Sequence, residues 1–210
     1  MKKNSPWIIL YILFLVGMIS AIFILDSQKR AMQAENDLMR SYQMKIDKRM
    51  EVCLIKWIYD NSERISRATC EEITQKVMET KYPLLILAII EVESMKFTPG
   101  ALSPKIGAIG WCQVRYEVHS ASLIKAGIIK EKRDLWDIGS NIKAGAFIFE
   151  MYLRQNKGDI SKTLERYLGG KDGAYLLRVL INHANLSVLV SQQEFSVVDN
   201  ALRVSSLPVK

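Results

Sequence analysis

The 210-residue chain holds only three cysteines, two histidines and five prolines, and each scarcity narrows what it can do. Cys53, Cys70 and Cys112 form no CxxC or other metal or redox spacing. His119 and His183 have no partner at ligand spacing, so neither a metal nor a cofactor is expected. No basic run exceeds the Lys130 to Arg133 cluster, and no zinc-finger spacing or RNA-binding signature occurs. The formal charge of +7 therefore does not point to nucleic acid, and it suits an acidic polymer or an anionic lipid surface as well. No pair of alternating apolar and polar runs reads as strands, and no internal repeat is visible.

Trp7 to Leu25 has no charged residue over 19 positions. A bilayer core demands about 17 to 25 apolar residues in a helix, so this segment is expected to span a membrane once. It is long for a secretory leader and ends Phe-Ile-Leu-Asp without a small-x-small cleavage pattern, which favours a retained anchor. Lysines and arginines flank it on both sides and do not decide its orientation. Asp26 to Met50 has no proline and no glycine and is rich in Gln, Lys, Arg and Glu. Met32, Met39, Ile46 and Cys53 recur every seven residues, but Glu35, Tyr42, Arg49 and Lys56 hold the companion positions, so a single solvated helix is expected rather than a coiled coil. The expected layout is a cytoplasmic tip and anchor over 1–25, a helical stalk over 26–50, a folded domain over 51–183 and a tail over 184–210.

Within that domain, Val52, Leu54, Ile55, Ile58 and Tyr59 give a helical stripe, and Thr69 with Glu72 reads as a capping box opening the next helix. Pro83 suits the first turn of a third helix. Further helices are expected over Asn141 to Arg154, Ile160 to Tyr167 and Ala174 to about Asn182. The fold class is therefore mainly α. Cys53 and Cys70 either pair across adjacent helices or remain buried thiols.

The third helix carries the chemistry. Leu84 to Ile90 is apolar on every side, and Glu91, Glu93 and Ser94 are the first polar residues on leaving it. A carboxyl held there loses hydration, so its pKa rises and it can donate a proton to a glycosidic oxygen near neutral pH. Glu91 and Glu93 point about 200° apart on a helix, so only one can face a groove, and helical phase alone does not choose.

Taken in order, Glu93-Ser94, Ser103-Pro104, Gly107-Ala108-Ile109-Gly110, Gln113, Asp137, Asn141, Gly145, and Tyr167 with Gly169-Gly170 resemble the motifs of the soluble lytic transglycosylase (SLT) catalytic domain. The resemblance runs from about Glu51 to Asn182. It implies a lysozyme-like, mostly helical fold, formally α+β, that cleaves peptidoglycan. It further implies Glu93 as the catalytic acid and base, Ser103 and Tyr167 close to its carboxyl, and Gln113 lining the sugar groove, with Ser94, Gly107, Gly110, Asn141, Gly169 and Gly170 as motif positions. Trp111 either stacks on a sugar or packs in the core. Two departures stand out: Trp111-Cys112 replaces the usual Leu-Met, and Leu168 stands where the family often has Asn.

Two-carboxylate glycosidases need a second acid about 5 to 9.5 Å away, and none is evident after Glu93. The family's scheme needs only one, because the same Glu protonates the leaving oxygen and then takes the proton of the muramic-acid 6-hydroxyl. The expected protein is thus a single-pass inner-membrane lytic transglycosylase with its domain on the periplasmic or wall side and peptidoglycan strands as partner. A lysozyme-type hydrolase and a non-catalytic wall-binding scaffold are the alternatives.

Overall fold

The structure, a computed structural model, describes residues 6–62, 65–98, 102–103 and 107–205; for 6–17, 19–22, 102–103 and 193–205 the description is of the backbone alone. Helix dominates: α1 (Pro6–Asn61), α2 (Arg67–Met78), α3 (Pro83–Glu93), α4 (Tyr116–Lys125), α5 (Ile138–Gln155), α6 (Ile160–Leu168) and α7 (Gly173–Ser205), with a 3-10 turn over Lys132–Trp136. Three two-residue strands, β1 (Leu102–Ser103), β2 (Ala108–Ile109) and β3 (Val114–Arg115), pair antiparallel in that order. Ile109 faces Leu102 on one side and Val114 on the other. Strands this short cannot show a period of two, which is why the sequence pattern missed them.

The chain divides into two compact units, Met1–Asp47 and Lys48–Lys210. The first is helical, and its described side chains lie mostly in solvent. Met32 and Met39 are each 63% exposed, and Gln33 with Asp37 and Gln43 with Asp47 bridge successive turns. The expected span Trp7 to Leu25 falls in α1, with most of its side chains outside those described.

The second unit is built around α3. Pro83 opens it with a fixed φ and no amide to satisfy, and Leu85 to Ile90 are all 5% exposed or less. A helix that is apolar all round has to be enclosed on every face. Here α2, α5 and α7 pack against it, with Leu54 and Ile58 from the end of α1 joining the same core. The start of α2 differs from expectation. Ser66 is the N-cap and accepts the Thr69 amide at 3.1 Å, so Thr69 lies inside the first turn and the Glu72 capping box is not used. Asp137 and Asp159 cap α5 and α6 through the amides of Ser140 and Lys162.

The tail expected from 184 is corrected over its first part. Helix α7 runs on to Ser205, and Leu186 and Val190 are buried in the core. Tyr175, Val179, Leu186 and Val190 recur at helical spacing, so the apolar stripe continues past Asn182 and keeps the helix packed. Among the described residues Gly173–Gln192 is the one segment long and apolar enough to cross a membrane. Its buried stripe and its packing on α3 make it a core helix of this unit.

Leu186→Ala should therefore destabilise the domain by about 2 to 5 kcal/mol, as truncation of a buried leucine does. Leu177→Ala, in the same helix but 58% exposed, should cost no more than about 0.5 kcal/mol. Urea unfolding measures both, and equal midpoints would restore the loose tail.

Candidate active site

Glu93 is the last residue of α3, and its carboxyl emerges where the buried helix ends. Burial pushes its pKa up from 4.5 and a hydrogen bond from Tyr175 holds back part of that rise, which leaves it at about 7. The Tyr175 hydroxyl donates to Glu93 Oε1 at 2.7 Å. Tyr175 is 3% exposed, and burial together with the Glu93 charge drives its own pKa upward, so it remains a donor. Its position is set locally. Asp172 accepts the amides of Ala174 and Tyr175, which fixes the first turn of α7 against α3.

Tyr167, in the last turn of α6, donates its hydroxyl to the Cys112 carbonyl at 2.9 Å. It lies in the electrostatic field of Glu93, but the hydrogen bond to the carboxyl comes from Tyr175. Burial raises the Cys112 thiol, and the Glu93 charge raises it further, so it stays protonated and inert. Helix α5 passes close to this group at Gly145. A Cβ there would stand 2.5 Å from Cys112 Sγ, closer than side-chain atoms approach, and 3.0 Å from the Tyr167 hydroxyl oxygen.

Asn141 holds the β-segment in place from below. Fully buried, it accepts the Cys112 amide at 2.8 Å and donates to the carbonyls of Ile109 and Leu135 at 2.9 and 2.8 Å. Gly110 must be glycine for two reasons: its φ is +74°, and a Cβ would lie 2.3 Å from Asn141 Nδ2. Gln113, also at positive φ, folds its amide back to donate to the Gly110 carbonyl at 2.9 Å. Gly107 and Gly169 both have positive φ, and Gly169 closes α6 as a left-handed C-cap, its amide and that of Gly170 donating to the Glu165 carbonyl.

Several expected residues are placed elsewhere. Trp111 is 6% exposed and packs in the core, so it has no free face on which a sugar could stack, and that reading is corrected. Ser94 is fully buried and donates to the Ile90 carbonyl while accepting the Phe97 amide, which makes it a helix-ending residue. Ser103 pairs with Ala108 through its backbone, and its side chain lies outside those described. Glu91 faces the other way, accepting the Trp57 indole N–H at 3.1 Å. Tyr175 was missed, because an aromatic in a first helical turn looks like any core residue until the fold sets it against Glu93. All three cysteines are free thiols, and among the described residues no group of His, Cys, Asp or Glu is arranged to hold a metal.

Helices enclosing one acid-bearing core helix, with a small antiparallel sheet beside the acid, define a lysozyme-like class. Residues 72–174 match the family model described as the transglycosylase SLT domain. This segment is thus an SLT lytic transglycosylase domain, of a family that acts on the peptidoglycan of the cell wall. No curated protein and no solved structure matches the chain. The matched segment includes Glu93, Ser103, Gln113, Asn141 and Tyr167, and it stops one residue before Tyr175.

The raised acid predicts a pH-dependent stability with a definite sign. Folded Glu93 keeps its proton up to about pH 7, whereas an unfolded Glu loses it near 4.5. Between those values the folded state binds more protons, so stability falls as pH rises, by about 3 kcal/mol at the upper limit. Glu93→Gln has no proton to lose. Urea unfolding at about pH 5 and about pH 8 should show the variant gaining on the wild type across this window. A pH-independent difference would mean that the carboxyl is not raised.

Proposed function

We propose that the chain is a membrane-anchored lytic transglycosylase that cleaves the bond between N-acetylmuramic acid and N-acetylglucosamine, with Glu93 acting as acid and then as base. The observation that carries this reading is a single carboxyl, desolvated at the end of α3, with a pKa of about 7 and one tyrosine hydroxyl on Oε1. Because Tyr175 donates to Oε1, the acidic proton resides on Oε2 and is free to leave. In the first step that proton passes to the glycosidic oxygen and the C1–O bond breaks. In the second the carboxylate, now stabilised by Tyr175, takes the proton of the muramic 6-hydroxyl as that oxygen bonds to C1. The product ends in a 1,6-anhydro ring, and Glu93 returns to its acid form.

A near-neutral pKa suits a group that must give and take a proton in one turnover. Support for the one-acid scheme comes from the surroundings: Tyr175, Tyr167 and Cys112 share the field of Glu93, and no second carboxylate among the described residues perturbs it. A hydrolase would put water in place of the 6-hydroxyl, and its products would carry reducing ends. On this reading Ser103, Gln113 and Tyr167 line or order the groove. Trp7 to Leu25 anchors the chain in the inner membrane, Asp26 to Met50 carries the domain away from it, and the domain works on the wall side.

Mass spectrometry of fragments released from purified wall should show 1,6-anhydro ends for the wild type. Their rate of release should drop by about 10² to 10⁴-fold or more in Glu93→Gln, with wall binding retained. Near wild-type turnover by that variant would refute the assignment. Reducing ends alone would make the enzyme a hydrolase. Tyr175→Phe removes the contact that lowers the Glu93 pKa, so the basic limb of its pH–rate profile should move to higher pH.

For the membrane arrangement, a reporter fused after Lys210 should be active on the wall side, and the mature N-terminus should lie before Trp7. A mature terminus near Asp26 would remove the anchor, and a cytoplasmic reporter would contradict the function.

A further inference from the structure

The turn that follows Glu93 has no part in the proposed chemistry, yet it holds the longest left-handed run among the described residues. Met95, Lys96 and Phe97 are consecutive non-glycine residues at φ of 51°, 61° and 59°. In that region each Cβ crowds its own backbone, so a run of three persists only where the surroundings enforce it. Ser94 closes α3 as its C-cap, the Lys96 amide donates to the Glu91 carbonyl at 2.9 Å, and the Met95 amide reaches the Val92 carbonyl at 3.4 Å. This is the Schellman pattern, in which the first residue past the cap is usually glycine. Here that residue is Met95, whose side chain is 75% exposed and gains little from packing to offset the strain.

Two side chains hold the turn shut. The Phe97 ring is fully buried in the core. Ser94, equally buried, uses its hydroxyl twice: it donates to the Ile90 carbonyl and accepts the Phe97 amide at 3.0 Å. A hydroxyl has one proton to give, so this one is committed to α3 and its oxygen to the far end of the turn. The group thereby ties the last turn of the helix to the anchored ring, across the strained Met95 and Lys96. Glu93 lies inside the helical turn, from Ile90 to Ser94, that the hydroxyl closes.

The tie matters because of where the acid sits. Helix ends ordinarily fray, and Glu93 is the last residue of α3. Its carboxyl nevertheless has to stay 2.7 Å from a hydroxyl on a different helix. Tyr175 of α7 faces it, Tyr167 of α6 and Cys112 of the β-segment share its field, and no charged group of α2 or α5 among the described residues acts on it. With only neutral neighbours, the acid strength of Glu93 is governed by how far water is kept from it.

We propose that Ser94 is the positioning residue of the acid: its hydroxyl, with the Phe97 ring as anchor, holds a strained turn closed so that the Glu93 carboxyl stays seated against Tyr175 and out of water. The proposal rests on the reading of Glu93 as acid and base and deepens it. Without the hydroxyl the Phe97 amide loses its buried partner, and the strain at Met95 and Lys96 is free to relax by unwinding the end of α3. The carboxyl then turns toward solvent, and its pKa falls back toward 4.5. Ser94 touches neither substrate nor the reacting atoms, so its whole effect passes through Glu93.

Kinetics and a titration of the full-length protein test this. In Ser94→Ala, kcat for release of 1,6-anhydro ends should fall about ten- to a hundredfold with KM nearly unchanged. The basic limb of its pH–rate profile should move to lower pH, the opposite sense to Tyr175→Phe. Carbon NMR titration of the labelled Glu93 carboxyl, which needs no turnover, should show the same downward move from about 7. Met95→Gly added to Ser94→Ala removes strain at the position past the cap and should recover part of both changes. Phe97→Leu loosens the anchor more mildly, should move the titration in the same direction by less, and decides the matter if Ser94→Ala does not fold. Leu123→Ala, in the buried face of α4, reports lost stability alone and should leave the titration where the wild type has it. A Glu93 titration unmoved in Ser94→Ala or, where that variant does not fold, in Phe97→Leu, or moved as much by Leu123→Ala, overturns the inference. A titration that moves as expected in a protein whose wild type releases no 1,6-anhydro ends would uphold the role of Ser94 and strike at the proposed activity instead.

Discussion

Everything about the site follows from where one carboxyl leaves the core. Helix α3 buries its side chains from Leu85 to Ile90, and the next acid on the Glu93 face emerges before water can reach it fully. Desolvation alone would push such a group far from the ordinary carboxylate range. The Tyr175 hydroxyl checks that rise and leaves the pKa at about 7. Tyr175 belongs to α7 and Glu93 to α3, so the packing of these two helices sets the acid strength directly. A shift of α7 that lengthened the 2.7 Å contact would raise the Glu93 pKa further.

A second constraint keeps the opposite wall in place. Two-residue strands have too few hydrogen bonds to stand alone. Asn141, projecting from α5, satisfies backbone groups of Ile109, Cys112 and Leu135 and so ties the β-segment and the 3-10 turn to one helix. Buried polar networks of this kind specify position strongly, because every unsatisfied member would be costly. Gly110 and Gly145 make room for it: one lets the chain pass over the Asn141 amide, the other lets α5 approach Cys112 and Tyr167. The motif asparagine and glycines thereby hold the frame against which Glu93 and its tyrosines are arranged.

The two acids of α3 show how one helix serves two surfaces. Glu93 and Glu91 are both desolvated and both raised, yet their neighbours differ in kind. Glu93 meets the Tyr175 hydroxyl, whereas Glu91 meets an indole N–H and the field of Lys96. The left-handed turn of Met95 to Phe97 separates the two environments and turns the chain sharply after the acid. Strain of this sort is tolerated because Ser94 and the buried Phe97 ring over-determine it.

Much of this was legible in the chain itself. The run Leu84 to Ile90 has no polar position, so it had to be a buried helix and the acids after it had to lose water; Pro83, Asp137, Asp159 and Gly169 mark helix ends by local chemistry that needs no tertiary partner. The order of the motifs pointed to the family before any contact was known. Other features had no local signature. Trp111 could be assigned to core or groove only once its surroundings existed, and the extent of α7 depended on what Leu186 and Val190 packed against. Glu91 and Glu93 are equivalent acids by helical phase and only the motif with Ser94 separates them, whereas the seating of α1 and α7 is what gave one an indole and the other a tyrosine. Periodicity and capping are properties of neighbours along the chain, so sequence alone determines them. The partner of a buried carboxyl is chosen by packing between segments 82 residues apart, and that the tertiary structure alone decides.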